Sequence, residues 1–346
     1  MKNREKQILF LSLEDVVACG GADVELAAAD MERGFTLLHQ GKIVNPMKTT
    51  LRAHSHHHEH NIGLVNFLPA YVDLGEEEII TCKLLGAMPS NADIGLPRAT
   101  GLIALFDTVT KSPIAILDAQ VISATRTGGV SLIATRRLAS PDTEEIGLVG
   151  AGVNMRTQLL GIHKGLPSLK RVRVYSRGDT KNLFAREMAE RTGLAIKPVQ
   201  SAHEAVDGVD FYVTCLPNVA VPVVQAKWVK QKGVTVYNIG CYENESVLLK
   251  RMNRVIADMW EQGKHRGVQT HAIAVRDGII PESLIEDFAP VVVGKRPGRQ
   301  SKDENIFFNP TGLGFEDAIV AWRVYKEAKK RGTGTWITLW KSTKWI

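Results

Sequence analysis

Glu145-Ile146-Gly147-Leu148-Val149-Gly150-Ala151-Gly152-Val153-Asn154-Met155 joins a short apolar run to a glycine turn, and a helical stretch follows as far as Leu166. Glycines at Gly150 and Gly152 let a chain turn tightly and bring its backbone close to a pyrophosphate, whose charge then meets the helix N-terminus. Gly150, Ala151, Gly152, Val153, Asn154 and Met155 are therefore candidate dinucleotide-binding residues. Met155 stands where the usual fingerprint has a third glycine, which predicts looser packing of helix on strand there. A second strand, RVRVYSR, follows over 171–177. Its tip has no acid to meet an adenosine ribose 2′-hydroxyl. Ser176 and Arg177 suit a 2′-phosphate instead, because a guanidinium fork matches phosphate geometry. Arg177 stacked on adenine would serve NAD equally well, so the expected cofactor is NAD or NADP.

The alternation continues with a helical NLFAREMAERTG over 182–193 and strand-like VDFYVTCLP, VTVYNIG and RVIADMW beginning at 209, 234 and 254. Strands separated by helices imply βαβ units and a parallel sheet. Two strand ends, Cys215-Leu216 and Asn238-Ile239-Gly240, fall where the carboxyl ends of parallel strands line a cofactor crevice. Upstream, a helical segment (Val24 to Gln40) mixes with strand-like runs GLVNFLPAYVDL and GLIALFD. ILDAQVISATRTGGVSLIATRRLA, over 116–139, reads as helix, turn and helix. Downstream, FEDAIVAWRVYKEAKKRG over 315–332 reads as one amphipathic helix. The fold expected is α/β, with a Rossmann-type dinucleotide domain over 128–305 inserted in a discontinuous second domain made of 1–127 and 306–346.

At 346 residues two domains are the natural division. The net charge of +6 is spread along the chain, which suits anionic small molecules better than nucleic acid. The N-terminal apolar run is too short for a signal peptide, and no apolar stretch approaches the roughly 18 residues a membrane helix needs. Cys19, Cys82, Cys215 and Cys241 lie far apart without zinc-like spacing and read as reduced thiols, so a cytoplasmic location is expected. His54-Ser55-His56-His57-His58-Glu59-His60 could ligate a metal, but nothing else supplies a fixed coordination shell. It reads as a solvated loop, and no metal site is expected.

Ser123-Ala124-Thr125-Arg126-Thr127-Gly128-Gly129, the glycine turn, and Asn309-Pro310-Thr311-Gly312-Leu313-Gly314-Phe315-Glu316-Asp317 together resemble the ornithine cyclodeaminase/mu-crystallin family. The resemblance spans nearly the whole chain. It implies a Rossmann domain inserted in a dimerising α/β domain, a homodimer, and an active site in the cleft between the domains. Within the family, Asn3-Arg4-Glu5, Asn45-Pro46-Met47-Lys48, Pro97-Arg98-Ala99-Thr100-Gly101 and Pro297-Gly298-Arg299 resemble the N-(2-amino-2-carboxyethyl)-L-glutamate dehydrogenase branch. That branch supplies 2,3-diaminopropionate to siderophores and peptide antibiotics.

The resemblance also implies site residues. Arg52, Lys83, Arg98 and Arg126 match positions at the substrate cleft, and Thr127 and Gly312 join the cofactor set. Arginine forks bind carboxylates, while a lysine can also polarise a carbonyl or activate water. Lys83 lies in the apolar strand IITCKLLG, where an unpaired charge is costly, so it reads as functional. Cyclodeaminases carry an aspartate two residues after the Asn-Ile-Gly motif, where this chain has Tyr242. Glu243 matches an aspartate of the dehydrogenase branch and is the candidate acid or base. Glu316 and Asp317 read as acids favouring a helix N-terminus. The expected activity is oxidation and hydrolysis of an amino-acid conjugate. The alternatives are an amino-acid dehydrogenase or ketimine reductase, an ornithine cyclodeaminase, and a mu-crystallin-like NADP-binding protein.

Overall fold

The computed structural model describes residues 5–52, 63–217 and 221–344. The chain divides into two compact units, one formed by residues 1–126 and 313–346 and the other by residues 127–312.

In the first unit eight of the described strands share one sheet: β1 (Lys6–Leu11), β2 (Ile43–Val44), β3 (Thr49–Leu51), β4 (Leu64–Asp73), β5 (Glu78–Ala87), β6 (Ala99–Phe106), β7 (Pro113–Asp118) and β16 (Thr335–Trp340). Their order is β16-β1-β7-β6-β5-β4-β2, with β3 also on β4. Strands β4 to β7 are antiparallel neighbours, and each shows the two-residue period of a sheet with one covered face. Ile79, Thr81 and Lys83 of β5 point to the covered side, as do Leu68 and Ala70 of β4 and Ile103 and Leu105 of β6. The helix Gly314–Arg331 packs on β4, β5 and the helix Val24–His39. Phe35 and Phe315 lock the two helices edge to face, with ring centroids 5.3 Å apart.

The second unit carries β8 (Glu145–Val149), β9 (Arg171–Tyr175), β10 (Ala195–Pro198), β11 (Phe211–Thr214), β12 (Thr235–Asn238), β13 (Arg254–Ala257), β14 (Ile285–Asp287) and β15 (Ile306–Phe308). They form one parallel sheet in the order β10-β9-β8-β11-β12-β15-β13-β14. Starting from β8 as the first strand, the first five positions follow the doubly wound Rossmann order, which reverses between β8 and β11, and β15, the last strand of the unit, is inserted between β12 and β13. Every residue of β11, β12, β13 and β15 is buried, as a parallel sheet covered on both faces requires.

Two expectations are corrected. The later domain boundary lies at 312/313 rather than 306, because Ile306–Phe308 is a strand paired with β12 and β13. The expected helix–turn–helix over 116–139 is strand β7 followed by a single helix, Gln120–Leu138. Gly128 does not break it. A Cβ there would collide with the backbone of Thr157, and a Cβ on Gly161 would collide with Gly128. The glycines serve close approach to the helix Val153–Gly165, not a turn. No helix of the described residues is long and apolar enough to cross a membrane.

Candidate active site

Three strand ends meet at the glycine turn. Gly150 has φ +117°, its N–H donates to the Tyr175 carbonyl at 2.8 Å, and a Cβ on it would strike the Cys215 carbonyl. Only glycine fits there, whatever the ligand. Gly152 differs. Its φ is −80°, a Cβ there would meet nothing within 4 Å, and as N-cap of Val153–Gly165 it offers no side-chain acceptor to the first-turn N–H groups. The protein itself leaves this position open, which suits the close approach of a phosphate to an uncapped helix N-terminus. Arg156 braces the turn, donating to the Ala151 carbonyl at 2.7 Å and pairing with Glu187 at 2.7 Å. Met155, in place of the third glycine, is fully buried. At the tip of β9, Arg177 is exposed and the Ser176 hydroxyl oxygen is buried without a hydrogen-bond partner. These features fit a dinucleotide.

The ends of β11 and β12 are fixed from behind by buried polar groups. Glu243 accepts from the Thr214 hydroxyl at 2.7 Å, from the Gly240 N–H at 3.1 Å and from the Leu216 N–H. Burial pushes its carboxyl up to about 7, while the three donors pull the other way. Asn238, expected at the cofactor, spends its side chain internally, donating to the Gly240 and Cys241 carbonyls. Asn309 donates to the Asn238 carbonyl at 2.6 Å, so its oxygen faces His271 Nδ1 at 2.9 Å. Burial holds His271 down to about 4, so the ring is neutral and Nδ1 carries the hydrogen. The Gly312 N–H, with that of Thr311, is taken by the Asp258 carboxylate at 2.6 Å and 2.7 Å. Among the expected cofactor residues, Cys215, Leu216, Ile239 and Gly240 stand at the strand ends, and Thr127 is buried in the helix Gln120–Leu138.

In the first unit Lys83 is 1% exposed and contacts Asp317 at 2.6 Å and the Ser123 hydroxyl at 3.1 Å. Arg126, in a helix rather than the expected turn, pairs with Glu316 at 2.6 Å and Asp317 at 3.3 Å. Two cations thus face two carboxylates in a buried cluster, as burial of charge demands. Burial lowers Lys83 to about 8, with Asp317 opposing the shift and Arg126 adding to it. An ammonium with that value exchanges its proton at ordinary pH. Glu316 and Asp317 do sit in the first turn of Gly314–Arg331, but they are fully buried partners of these cations rather than solvated acids completing a helix dipole.

The four expected substrate cations do not form one cluster. Arg52 follows β3 and Arg98 precedes β6. Both are exposed near one end of the sheet, where Leu64, Ala87 and Ala99 align. Lys83 lies four residues along β5 from Ala87, roughly 13 Å at the rise of a strand. Tyr242 is half-buried. The histidine stretch 54–60 lies outside the described residues, and no group of three metal-ligating side chains occurs among those described. Sequence reading missed Ser123, Asp258, Asn309 and His271. Asn309 and Asp317 lay within the late motif, but the groups they would meet could not be read from it.

A Rossmann sheet with an open glycine turn, and a lysine able to exchange a proton, is equipment for NAD(P)-dependent oxidation or reduction at amino-acid C–N bonds, and the relatives of this chain are enzymes of that class. The sequence profile of the ornithine cyclodeaminase/mu-crystallin family matches residues 10–332, and the chain belongs to this family. An N-((2S)-2-amino-2-carboxyethyl)-L-glutamate dehydrogenase from Staphylococcus aureus is 26% identical over 338 residues, 97% of this chain and 99% of the relative. An alanine dehydrogenase from Archaeoglobus fulgidus is 30% identical over 349 residues, again 97% and 99%. Among solved structures, Thermococcus litoralis Delta(1)-pyrroline-2-carboxylate reductase in complex with NADH and L-proline superposes with TM-score 0.87 at 29% identity, covering 95% of this chain and 99% of that one.

Proposed function

We propose that the chain oxidises N-(2-amino-2-carboxyethyl)-L-glutamate and releases 2,3-diaminopropionate and 2-oxoglutarate, for siderophore or antibiotic assembly. The observation that carries this reading is the separation of the cations into two sets. Lys83 and Arg126 are buried, while Arg52 and Arg98 stand exposed along the same sheet. Lys83 and Arg126 are held by Asp317 and Glu316, which leaves Arg52 and Arg98 for carboxylates beyond the one at the reacting carbon, and alanine or pyrroline-2-carboxylate has no such further carboxylate to offer. The end-to-end S. aureus relative supports the same reading.

Bound NAD(P)⁺ supplies the hydride acceptor. The glutamate α-carbon gives up the hydride and its nitrogen a proton, leaving a C=N bond. Water adds to that carbon and the C–N bond breaks; nitrogen leaves with 2,3-diaminopropionate and the carbonyl with 2-oxoglutarate. Lys83 is assigned to the proton movements, since the Glu243 carboxylate is engaged by three donors. Arg52 and Arg98 bind and orient the substrate carboxylates, while Arg126 holds Glu316 and Asp317 beside Lys83. The second reading, a simple amino-acid dehydrogenase, is favoured by the 30% identity to alanine dehydrogenase.

Incubation with the conjugate and NAD⁺ or NADP⁺, offered separately, should give reduced cofactor, 2-oxoglutarate and 2,3-diaminopropionate in equal amounts by mass spectrometry. Proline from ornithine, or a keto acid and ammonia from a free amino acid with no turnover of the conjugate, overturns the reading. The working form is proposed to be a homodimer. Leu84 and Leu102, register partners on β5 and β6, are 38% and 46% exposed on the face away from Lys83, and a second copy would cover them. Light scattering that returns the mass of a single chain would refute this.

A further inference from the structure

We propose that Glu243 is a positioning residue for the bound dinucleotide: a buried strut that holds the ends of β11 and β12 in one fixed geometry. The proposal rests on the reading of those strand ends as part of the cofactor crevice. Glu243 lies in the turn after β12 and is 1% exposed. Its oxygens reach both strand ends, the Thr214 hydroxyl and Leu216 N–H on one side and the Gly240 N–H on the other. A Cβ on Gly240 would collide with the carboxylate, so the contact needs glycine there.

The donor pattern decides the role. Asn244 donates its amide hydrogen to Thr214 Oγ1 at 3.2 Å, and its own oxygen is held by the Tyr212 hydroxyl at 2.7 Å. The Thr214 hydroxyl hydrogen is thereby directed at Glu243. Among the described residues three donors and no acceptor face the carboxylate, so the pocket suits a group that only accepts. Oε2 accepts two of the three donors, Thr214 and Gly240, so a proton on that oxygen would break one of the ties. A residue that must take up and release a proton in every turnover is poorly served by such a site, whereas a fixed brace is well served. Val223 and Val224 N–H groups bind the Glu243 backbone carbonyl at 2.9 and 3.1 Å, fixing the strut at its root as well.

NADH titration followed by fluorescence tests the strut on the purified full chain. In Glu243→Gln the amide nitrogen must face a donor, so NADH affinity should fall about tenfold or more. Thr214→Val removes one tie and should weaken NADH in the same direction, by about threefold. The pH profile of kcat should keep its shape in Thr214→Val. Unchanged NADH affinity in Glu243→Gln, with kcat reduced and one limb of the pH profile gone, would make Glu243 an acid–base group and overturn the proposal. If Glu243→Gln does not fold by thermal melting, Thr214→Val decides, and unaltered NADH affinity there overturns the strut. Failure of the wild-type chain to bind NADH or NADPH would remove the cofactor reading and the strut together, whereas wild-type binding with indifferent variants removes the strut alone.

Discussion

Gly152→Val is expected to bind NADH at least about 100-fold more weakly than wild type, yet to melt within about 2 °C of it. A side chain at this position meets nothing within 4 Å in the protein, so the fold has no reason to object. The space it would fill is the space in front of the uncapped N-terminus of Val153–Gly165, where a pyrophosphate must come close to backbone. Gly150→Ala should behave differently. Its φ of +117° and the collision with the Cys215 carbonyl make the alanine costly to the turn itself, by roughly 2 kcal/mol or more, so stability and cofactor binding should fall together. Calorimetric melting and NADH titration of the two variants check both claims. Retained NADH affinity in Gly152→Val would sink the placement of the pyrophosphate.

Lys83→Met should lose turnover by about 10²–10⁴-fold, the usual contribution of a proton-transfer group. It should also lose roughly 3 kcal/mol of stability, because the buried Asp317 carboxylate and Ser123 hydroxyl lose the hydrogen-bonding nitrogen they keep in either protonation state of Lys83. The two effects are separable. Adding Asp317→Asn removes the stranded charge, so the double variant should regain most of its stability and remain inactive. A double variant that turns over like wild type would reduce Lys83 to a structural ion pair. The pH dependence follows from the lowered value of about 8 against 10.5 for the free side chain. Between those values the unfolded chain holds a proton that the folded chain has released. Stability from this residue is thus fully present above pH 10.5 and is lost as pH falls through about 8. The difference in melting temperature between wild type and Lys83→Met, followed across this range, should therefore widen with rising pH.

Much of this protein is legible locally. The Rossmann strands follow from short apolar runs spaced by helical stretches, and the nucleotide turn from glycines placed between a strand and a helix. The discontinuous second domain could be anticipated, because the periodicity changes on either side of those strands. Such features depend on residues within a few positions of one another, where φ preference and side-chain period act directly. Gly128 shows the limit. As part of a Thr-Gly-Gly run it reads as a turn, yet it lies inside a helix, and glycine is needed there because Thr157, far along the chain, occupies the place a Cβ would take.

The charges show the limit more fully. That Lys83 is buried could be inferred from its apolar strand, but that it meets Asp317, and that Arg126 meets Glu316, depends on Gly314–Arg331 packing over β5. Glu243 stood out as an acid near a cofactor strand end, while two of the three donors that absorb it, Thr214 and Leu216, reach it only through the parallel register of β11 and β12. A buried charge must find a partner, but sequence alone does not say which. By itself the sequence determined the alternation of strands and helices around the nucleotide turn and the open glycine turn itself, since these are set by neighbours in the chain. Tertiary structure decided which charged groups are already engaged, since that is set by neighbours in space.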